Sequence, residues 1–261
     1  MTGNNKMGYS MLYFDEIDST NEEAKRQADN GVADRLLIVA GHQTKGKGRR
    51  GRNWESPAGG NIFMSLLLRP DFAIESASMV TLVMALSVAQ TIREVMQLPA
   101  FIKWPNDIVI EKKKVVGILT ELHMKDACNW YLICGVGINV NQKEFPEELS
   151  QTATSLWLEQ REDAGGSDID SDRLTHKVME RFEENYALFG KRADMSDLMR
   201  AYNELLVNKD AAVKVLDPKG EFEGTALGIN KLGELLVQKQ DGSMENIYAG
   251  EVSVRGIYGY V

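Results

Sequence analysis

Apolar residues in this chain fall into two kinds of stretch, short continuous runs and longer ones spaced at three and four residues. A short apolar stretch at 11–14 precedes Ser19-Thr20-Asn21-Glu22-Glu23, where Ser19 with Glu22 and Thr20 with Glu23 make two overlapping capping boxes. They predict a helix that begins there, runs to about Asp29 and stops at Asn30-Gly31, a pair suited to a left-handed C-cap. Leu36-Leu37-Ile38-Val39-Ala40 is short, continuous and β-branched, the signature of a buried strand. Residues 61–69 read as a second strand, opened by Gly59-Gly60 and closed by Pro70, which lacks a backbone donor. Across 75–96, Met79, Leu82, Val83, Leu86, Ala89, Ile92 and Met96 recur at helical spacing and predict one long core helix.

Strand-like pieces follow in quick order at 101–103, 108–110, 115–122 and 130–136, with Lys112-Lys113 as a charged turn. Hairpins beside a few long helices indicate an α+β fold built on a mixed, largely antiparallel sheet. Residues 159–172, acidic and holding Gly165-Gly166, read as a solvated connection of low order. Two amphipathic helices are expected near 172–189 and 195–206. From Ala211 the pattern changes to short strands separated by the turns Asp217-Pro218-Lys219-Gly220, Asn230-Lys231-Leu232-Gly233 and Asp241-Gly242, which predict a small β-barrel. The expected division is a main domain at 1–206 and a barrel at 207–261. The barrel is near the size limit for independent folding, so it should lean on the main domain.

The 261 residues are 43% hydrophobic, ample for a core, and carry a formal net charge of −8. That charge argues against general nucleic-acid binding, which needs an excess of cations to displace phosphate counterions. Cys128 and Cys134 match neither a redox pair nor a zinc knuckle and are expected to be buried, reduced thiols. His42, His123 and His176 are scattered, so no structural metal is expected. The polar N-terminus has no signal-peptide core, and no stretch approaches the roughly 18 apolar residues of a membrane span, which makes the cytoplasm the expected compartment.

Against that acidic background the segment Gly46-Lys47-Gly48-Arg49-Arg50-Gly51-Arg52 stands out. Its three glycines let backbone N–H groups approach an anion, and its four cations supply charge, with arginine adding a bidentate fork. A surface loop or nucleic-acid patch is the plain alternative, but interleaved glycines just after a buried strand favour a ligand loop. The stretch from Gly41 to Lys47 also matches GxxxxGK. It fails as a phosphate-binding P-loop, because Gly48 replaces the required Ser or Thr and Gly51, Pro57 and Gly59-Gly60 prevent the helix that should follow. Lys103-Trp104-Pro105-Asn106-Asp107 combines an extended Trp-Pro step with a cation, an amide and a carboxylate, and reads equally as a turn or a site. Lys114 stands at the mouth of an apolar strand, with Gly117 allowing close backbone approach. Gly135-Val136-Gly137-Ile138-Asn139 resembles a fragment of a dinucleotide fingerprint without its helix, so a bulged strand end is expected, from which Asn139 could read a base edge.

In this order, Asp18-Ser19-Thr20-Asn21, Gln43 with the 46–52 loop, Trp54, Lys103 to Asp107, Lys114 to Leu119 and Gly135 to Asn139 resemble the biotin protein ligases. The resemblance extends over nearly the whole chain, including Gly250-Glu251-Val252-Ser253-Val254-Arg255 in the small barrel. It implies a class II synthetase-like catalytic domain with an SH3-like barrel. The implied substrates are biotin and ATP with Mg²⁺, and the implied partner is a biotin carboxyl carrier protein whose lysine attacks biotinyl-5'-AMP. It further implies that Ser19, Thr20, Asn21 and Gln43 receive the biotin ureido ring, and that Lys47, Gly48 and Arg49 close over the adenylate. Lys114, with Gly117 beside it, would stand at the reacting carboxylate and α-phosphate. Trp54, Asn106 and Asn139 would lie near the nucleotide, and Lys103 and Asp107 would help place phosphates and Mg²⁺. Lys114 and Arg49 are the expected catalytic pair.

Two departures from the family pattern matter. Lys47 stands where the family commonly has arginine, exchanging a guanidinium fork for a point charge. Only about eighteen residues precede the first site motif, too few for the winged helix-turn-helix of some bacterial relatives. A lipoate or octanoate ligase of the same superfamily and a non-catalytic sensor are the competing readings, and an exposed sheet edge makes a homodimer an open expectation.

Overall fold

The computed structural model describes residues 8–51, 54, 59–126, 129–160, 167–216, 220–249, 253–256 and 261. Seven strands form the main sheet in the order β1-β2-β3-β7-β6-β5-β4. They are β1 (Ser10–Phe14), β2 (Leu36–Ala40), β3 (Ile62–Leu68), β4 (Phe101–Lys103), β5 (Asp107–Ile110), β6 (Lys113–Asp126) and β7 (Asn129–Ile138). β1 and β2 run parallel, and every other neighbouring pair is antiparallel. The expected α+β architecture with a mixed, largely antiparallel sheet is therefore what the chain forms.

Both faces of the sheet are covered, which explains why β2 reads as an unbroken apolar run and β3 as one interrupted only by Ser65. Alternate side chains go to opposite faces. Leu36, Ile38 and Leu67 pack with Ala24 and Ala28 of α1 (Thr20–Asp29), while Leu37, Val39 and Leu66 join the larger core with α2 (Val80–Met96) and α5 (Ser171–Gly190). Two short helices, α3 (Glu147–Ser150) and α4 (Leu156–Glu159), follow β7, and α6 (Met199–Leu205) leads out of the layer.

A second, wholly antiparallel sheet is built from β8 (Ala211–Leu216), β9 (Phe222–Ile229), β10 (Leu235–Lys239), β11 (Met244–Ile247) and β12 (Ser253–Gly256), in the order β11-β10-β9-β8-β12. It leans on the main layer as expected. Val213, Val215, Ala226 and Leu235 share one apolar cluster with Leu86 and Trp104. The Trp104 indole N–H donates to the Gly233 carbonyl at 3.1 Å, and Asn203 of α6 pairs with the backbone of Ile229. Trp104, unexplained by a simple turn, is thus a fully buried strut between the two sheets.

Several expectations change. The long helix expected at 75–96 divides into a 3-10 turn, Ile74–Met79, and α2. By length and apolarity Ile74–Met96 does match a membrane span, contrary to expectation, but 67% of its most apolar window is buried inside this protein as the central core helix. The Trp104–Pro105 peptide is cis, and residues 104–106 form the turn between β4 and β5 in place of an extended step. β7 pairs in unbroken register with β3 and β6 from Leu132 to Ile138, so no bulge lies at Gly135 or Gly137. The helix expected at 195–206 shortens to α6. Arg52, Pro57, Cys128, Gly165-Gly166, the 217–219 part of its turn and Gly250-Glu251-Val252 lie outside the described residues, whereas Cys134 is free and buried as expected.

Candidate active site

Helix α1 begins where the capping boxes predict, but neither box forms. Ser19 makes no side-chain cap; the Ser19 N–H is instead held by Asp18 Oδ1 at 2.7 Å. Glu22 pairs with Lys47, and Glu23 with Arg26 and Gln27. The reason is what lies in front of the helix: Ser19, Thr20 and Asn21 line a cleft of about 460 Å³, and Thr20 turns its hydroxyl to Gln43 Oε1 at 3.0 Å. The same oxygen accepts the Thr20 N–H at 2.8 Å. Ser19, Thr20 and Asn21 are all buried, so this end of the cleft is a desolvated group of hydroxyls and amides whose positions are held by bonds.

Residues 47–49 of the basic loop line the cleft as well. The base of the loop is tied to the α1 entry by backbone bonds from Thr44 to Ile17 and from Lys45 to Asp18. Arg49 begins a 3-10 turn, Arg49–Gly51, in place of the helix a P-loop requires, and its guanidinium donates to Asn106 Oδ1 at 2.8 Å. The Lys47 ammonium pairs with Glu22, which raises the lysine pKa and lowers that of the carboxyl; both side chains remain substantially exposed.

Lys114 enters from β6, its backbone fixed by bonds to Thr152 and Thr154. Its ammonium lies 2.6 Å from Asp107 Oδ1 and 5.1 Å from the centre of the Trp54 ring. Trp54 lies against two glycines: a Cβ at Gly117 would come within 2.5 Å of the indole, and one at Gly137 within 2.7 Å. Gly135 does the same for Asn21, whose Oδ1 would stand 2.2 Å from an added Cβ. The fingerprint-like glycines of β7 therefore make room for side chains of the site rather than for a bulge.

The structure gathers Ser19, Thr20, Asn21, Gln43, Lys47, Gly48, Arg49, Trp54, Asn106, Lys114 and Gly117 around one cleft, while the other three expected residues stand behind the lining. Asp107 reaches the site through Lys114. Lys103 is 6% exposed, and burial pulls its pKa down to about 8 against the attraction of Asp107, with Lys114, Arg255 and Arg49 lowering it further. Asn139 is buried and turns its amide to the Thr154 carbonyl at 3.0 Å, bracing the segment that holds Lys114.

Two residues of the site were missed from sequence. Ser65 of β3 is fully buried and contacts both Thr20 and Asn21, and Glu121 of β6 accepts the Asn21 amide at 2.6 Å. Ser65 did carry a signal: one hydroxyl within Ile-Phe-Met-Ser-Leu-Leu-Leu must find a partner when the strand is buried on both faces. Among the described residues no group of three or more His, Cys, Asp or Glu side chains is placed to hold a metal ion.

Residues 13–139 match the model of the Biotin/lipoate A/B protein ligase family, and residues 211–255 match the Biotin protein ligase C terminal domain. The Bifunctional ligase/repressor BirA of Bacillus spizizenii is 36% identical over 250 residues, covering 95% of this chain and 75% of that protein. The Biotin–[acetyl-CoA-carboxylase] ligase of Mycobacterium tuberculosis is 31% identical over 170 residues, covering 63% of this chain and 59% of that one. Among solved structures, the biotin protein ligase of Aquifex aeolicus in complex with biotin and ATP superposes with a TM-score of 0.80 at 33% identity, covering 94% of this chain and 98% of that one. Sequence, fold and the order of the motifs agree, and the chain belongs to the biotin protein ligase family.

Proposed function

We propose that this enzyme activates biotin with ATP, giving biotinyl-5'-AMP and diphosphate, and then transfers biotin to a lysine of a biotin carboxyl carrier protein. The observation that carries the reading is the pairing, within one cleft, of an uncharged polar end at buried Ser19 and Thr20 and half-buried Gln43 with a cationic end at Lys47, Arg49 and Lys114. A ureido ring is neutral and rich in hydrogen-bonding groups, so it suits the first end; phosphates suit the second.

In the first step the biotin carboxylate attacks the α-phosphorus and diphosphate leaves. Lys114 supplies a fixed cation to the charge that gathers on the phosphoryl oxygens, and Asp107 aims it. Arg49, reaching from the loop to Asn106, adds a guanidinium to the phosphate side. Lys47, Gly48 and Arg49 cover the mixed anhydride and keep water from it. In the second step the carrier amine attacks the acyl carbon and AMP leaves, and the main requirement is correct placement of the incoming lysine. Trp54, Asn106 and Asn139 are assigned to the nucleotide side and Gly117 to close backbone approach; Asn139 acts through the Thr154 segment.

Mg²⁺ accompanies ATP in this proposal, neutralising phosphate charge. It commonly binds through one or two carboxylates plus substrate phosphates rather than a protein cage. Asp107, with Lys103 beside it, is the carboxylate suited to that role.

The proposed division of labour is catalysis in residues 1–206 and support from 207–261. The proposed setting is the cytoplasm, without a nucleic-acid or membrane partner, a reading supported by the net charge of −8. Edge strand β1, with Tyr13 exposed, is the surface offered for a homodimer. A lipoate ligase is disfavoured, because a dithiolane ring has no N–H or carbonyl to offer the polar groups of Ser19, Thr20 and Gln43 that line this end of the cleft. The test is ATP-dependent labelling of a carrier domain with biotin, with lipoate as competitor; labelling that lipoate suppresses at equal concentration would overturn the substrate assignment.

A further inference from the structure

Ser65 and Glu121 lie behind the vitamin end of the cleft, and their contacts decide which way the polar groups in front of them point. Asn21 is 5% exposed and held on three sides. Its amide nitrogen faces Glu121 Oε2 at 2.6 Å, its oxygen faces Ser65 Oγ at 2.5 Å, and Gly135 closes the wall beside it. A carboxylate only accepts, so the nitrogen must be the atom turned to Glu121 and the oxygen the one turned to Ser65. Asn21 Oδ1 has no proton, so the single Ser65 proton goes to Asn21.

That assignment propagates to Thr20. Ser65 Oγ also lies 2.7 Å from Thr20 Oγ1, and with the serine proton already donated, a bond there needs the threonine proton. The other partner of the Thr20 hydroxyl is Gln43 Oε1 at 3.0 Å, which likewise only accepts. Whichever of the two it serves, the Thr20 proton is taken by a protein acceptor, and the hydroxyl keeps a lone pair for a ligand in the cleft it lines. Gln43 Oε1 also receives the Thr20 N–H, which holds that oxygen toward Thr20.

We propose that Ser65 and Glu121 are positioning residues that set the hydrogen-bonding pattern of the vitamin end, so that Thr20 accepts from a ligand N–H. Such an acceptor complements the N–H of a cyclic urea, and in this the inference rests on the proposed function. Glu121 orients Asn21, Asn21 orients Ser65, and Ser65 orients Thr20. Neither Ser65 nor Glu121 lines the cleft itself.

The test compares wild type with Ser65→Ala, Glu121→Leu and Glu121→Gln, measuring separate KM values for biotin and ATP, kcat for adenylate formation, and Tm. Losing one orienting hydrogen bond should raise the biotin KM roughly ten-fold in Ser65→Ala and Glu121→Leu. The ATP KM and kcat should stay within about two-fold, because those variants remove ground-state binding of one substrate. Glu121→Gln keeps an accepting oxygen for Asn21 and should return the biotin KM to near wild type. Biotin and ATP KM values rising together with a lowered Tm, or no change in either disruptive variant, would overturn the positioning role while leaving the activity assigned. A folded wild-type enzyme that does not turn over biotin would overturn the proposed function and this inference with it.

Discussion

The two ends of the cleft are built on opposite principles. At the vitamin end, Thr20, Asn21 and Ser65 are buried and bonded to one another through side chains from α1, β3 and β6, so their geometry is set before any ligand arrives. At the nucleotide end, Arg49 contributes charge from a 3-10 turn, and the Lys47 side chain is 45% exposed in a surface ion pair with Glu22. Surface pairs of that kind contribute little, about 0 to 1 kcal/mol, and are readily exchanged for a ligand. Under the proposed function, this difference assigns selectivity for the acid to the rigid end, and retention of the reactive adenylate to the end that a phosphate can reorder.

The largest effect is expected at the junction of the two ends. Lys114→Ala should lower adenylate formation by about a thousand-fold or more while leaving Tm nearly unchanged, as read from biotin-dependent diphosphate exchange and thermal melting. Near-normal exchange would remove Lys114 from the chemistry. Next, two glycine substitutions separate the ends. Gly135→Ala drives a methyl into Asn21, and Gly117→Ala drives one into Trp54. The first should raise the biotin KM by roughly ten-fold or more with little change for ATP, and the second should do the reverse. Equal effects on both substrates would erase the distinction between the ends.

Arg49→Ala should speed escape of biotinyl-5'-AMP by roughly ten-fold, measured by trapping released adenylate after a single turnover. An unchanged release rate would contradict the covering role of the loop. Lys103 offers a test through stability. Its folded pKa of about 8 lies below the ordinary 10.5, so between those values the unfolded chain binds more protons and stability rises with pH. Lys103→Met should therefore raise Tm at pH 7, where the buried ammonium is mostly charged, and flatten the rise from pH 8 to 10.5. Asp107 keeps Lys114 as its partner in that variant. The smallest effect is expected for Lys47→Arg, within about three-fold on either KM, because the residue works from an exposed position.

The same contrast explains what could be read from sequence. β2, β3 and α2 were legible because burial on both faces leaves strong apolar runs, and the 46–52 loop because its glycines and cations interrupt an acidic chain. The start of α1 was legible for the wrong reason: Ser19 and Thr20 look like caps, but they face the cleft, and a capping box and a ligand-binding hydroxyl have the same residue types. Gly135 and Gly137 looked like a bulge because the space a glycine leaves for a distant side chain is invisible in one dimension. Trp104 is a strut to the second sheet, reached across 129 residues. Glu121 was missed for the same reason, since what marks it is a partner on α1, far away along the chain, and the lone hydroxyl of Ser65 told only that a partner exists, not which.

The most direct measurement is exchange of labelled diphosphate into ATP by the purified full chain, with biotin or lipoate as the only acid. The account predicts exchange that depends on biotin, requires Mg²⁺ and is lost in Lys114→Ala, with lipoate giving no more than background. No exchange with biotin, or equal exchange with lipoate, would contradict it.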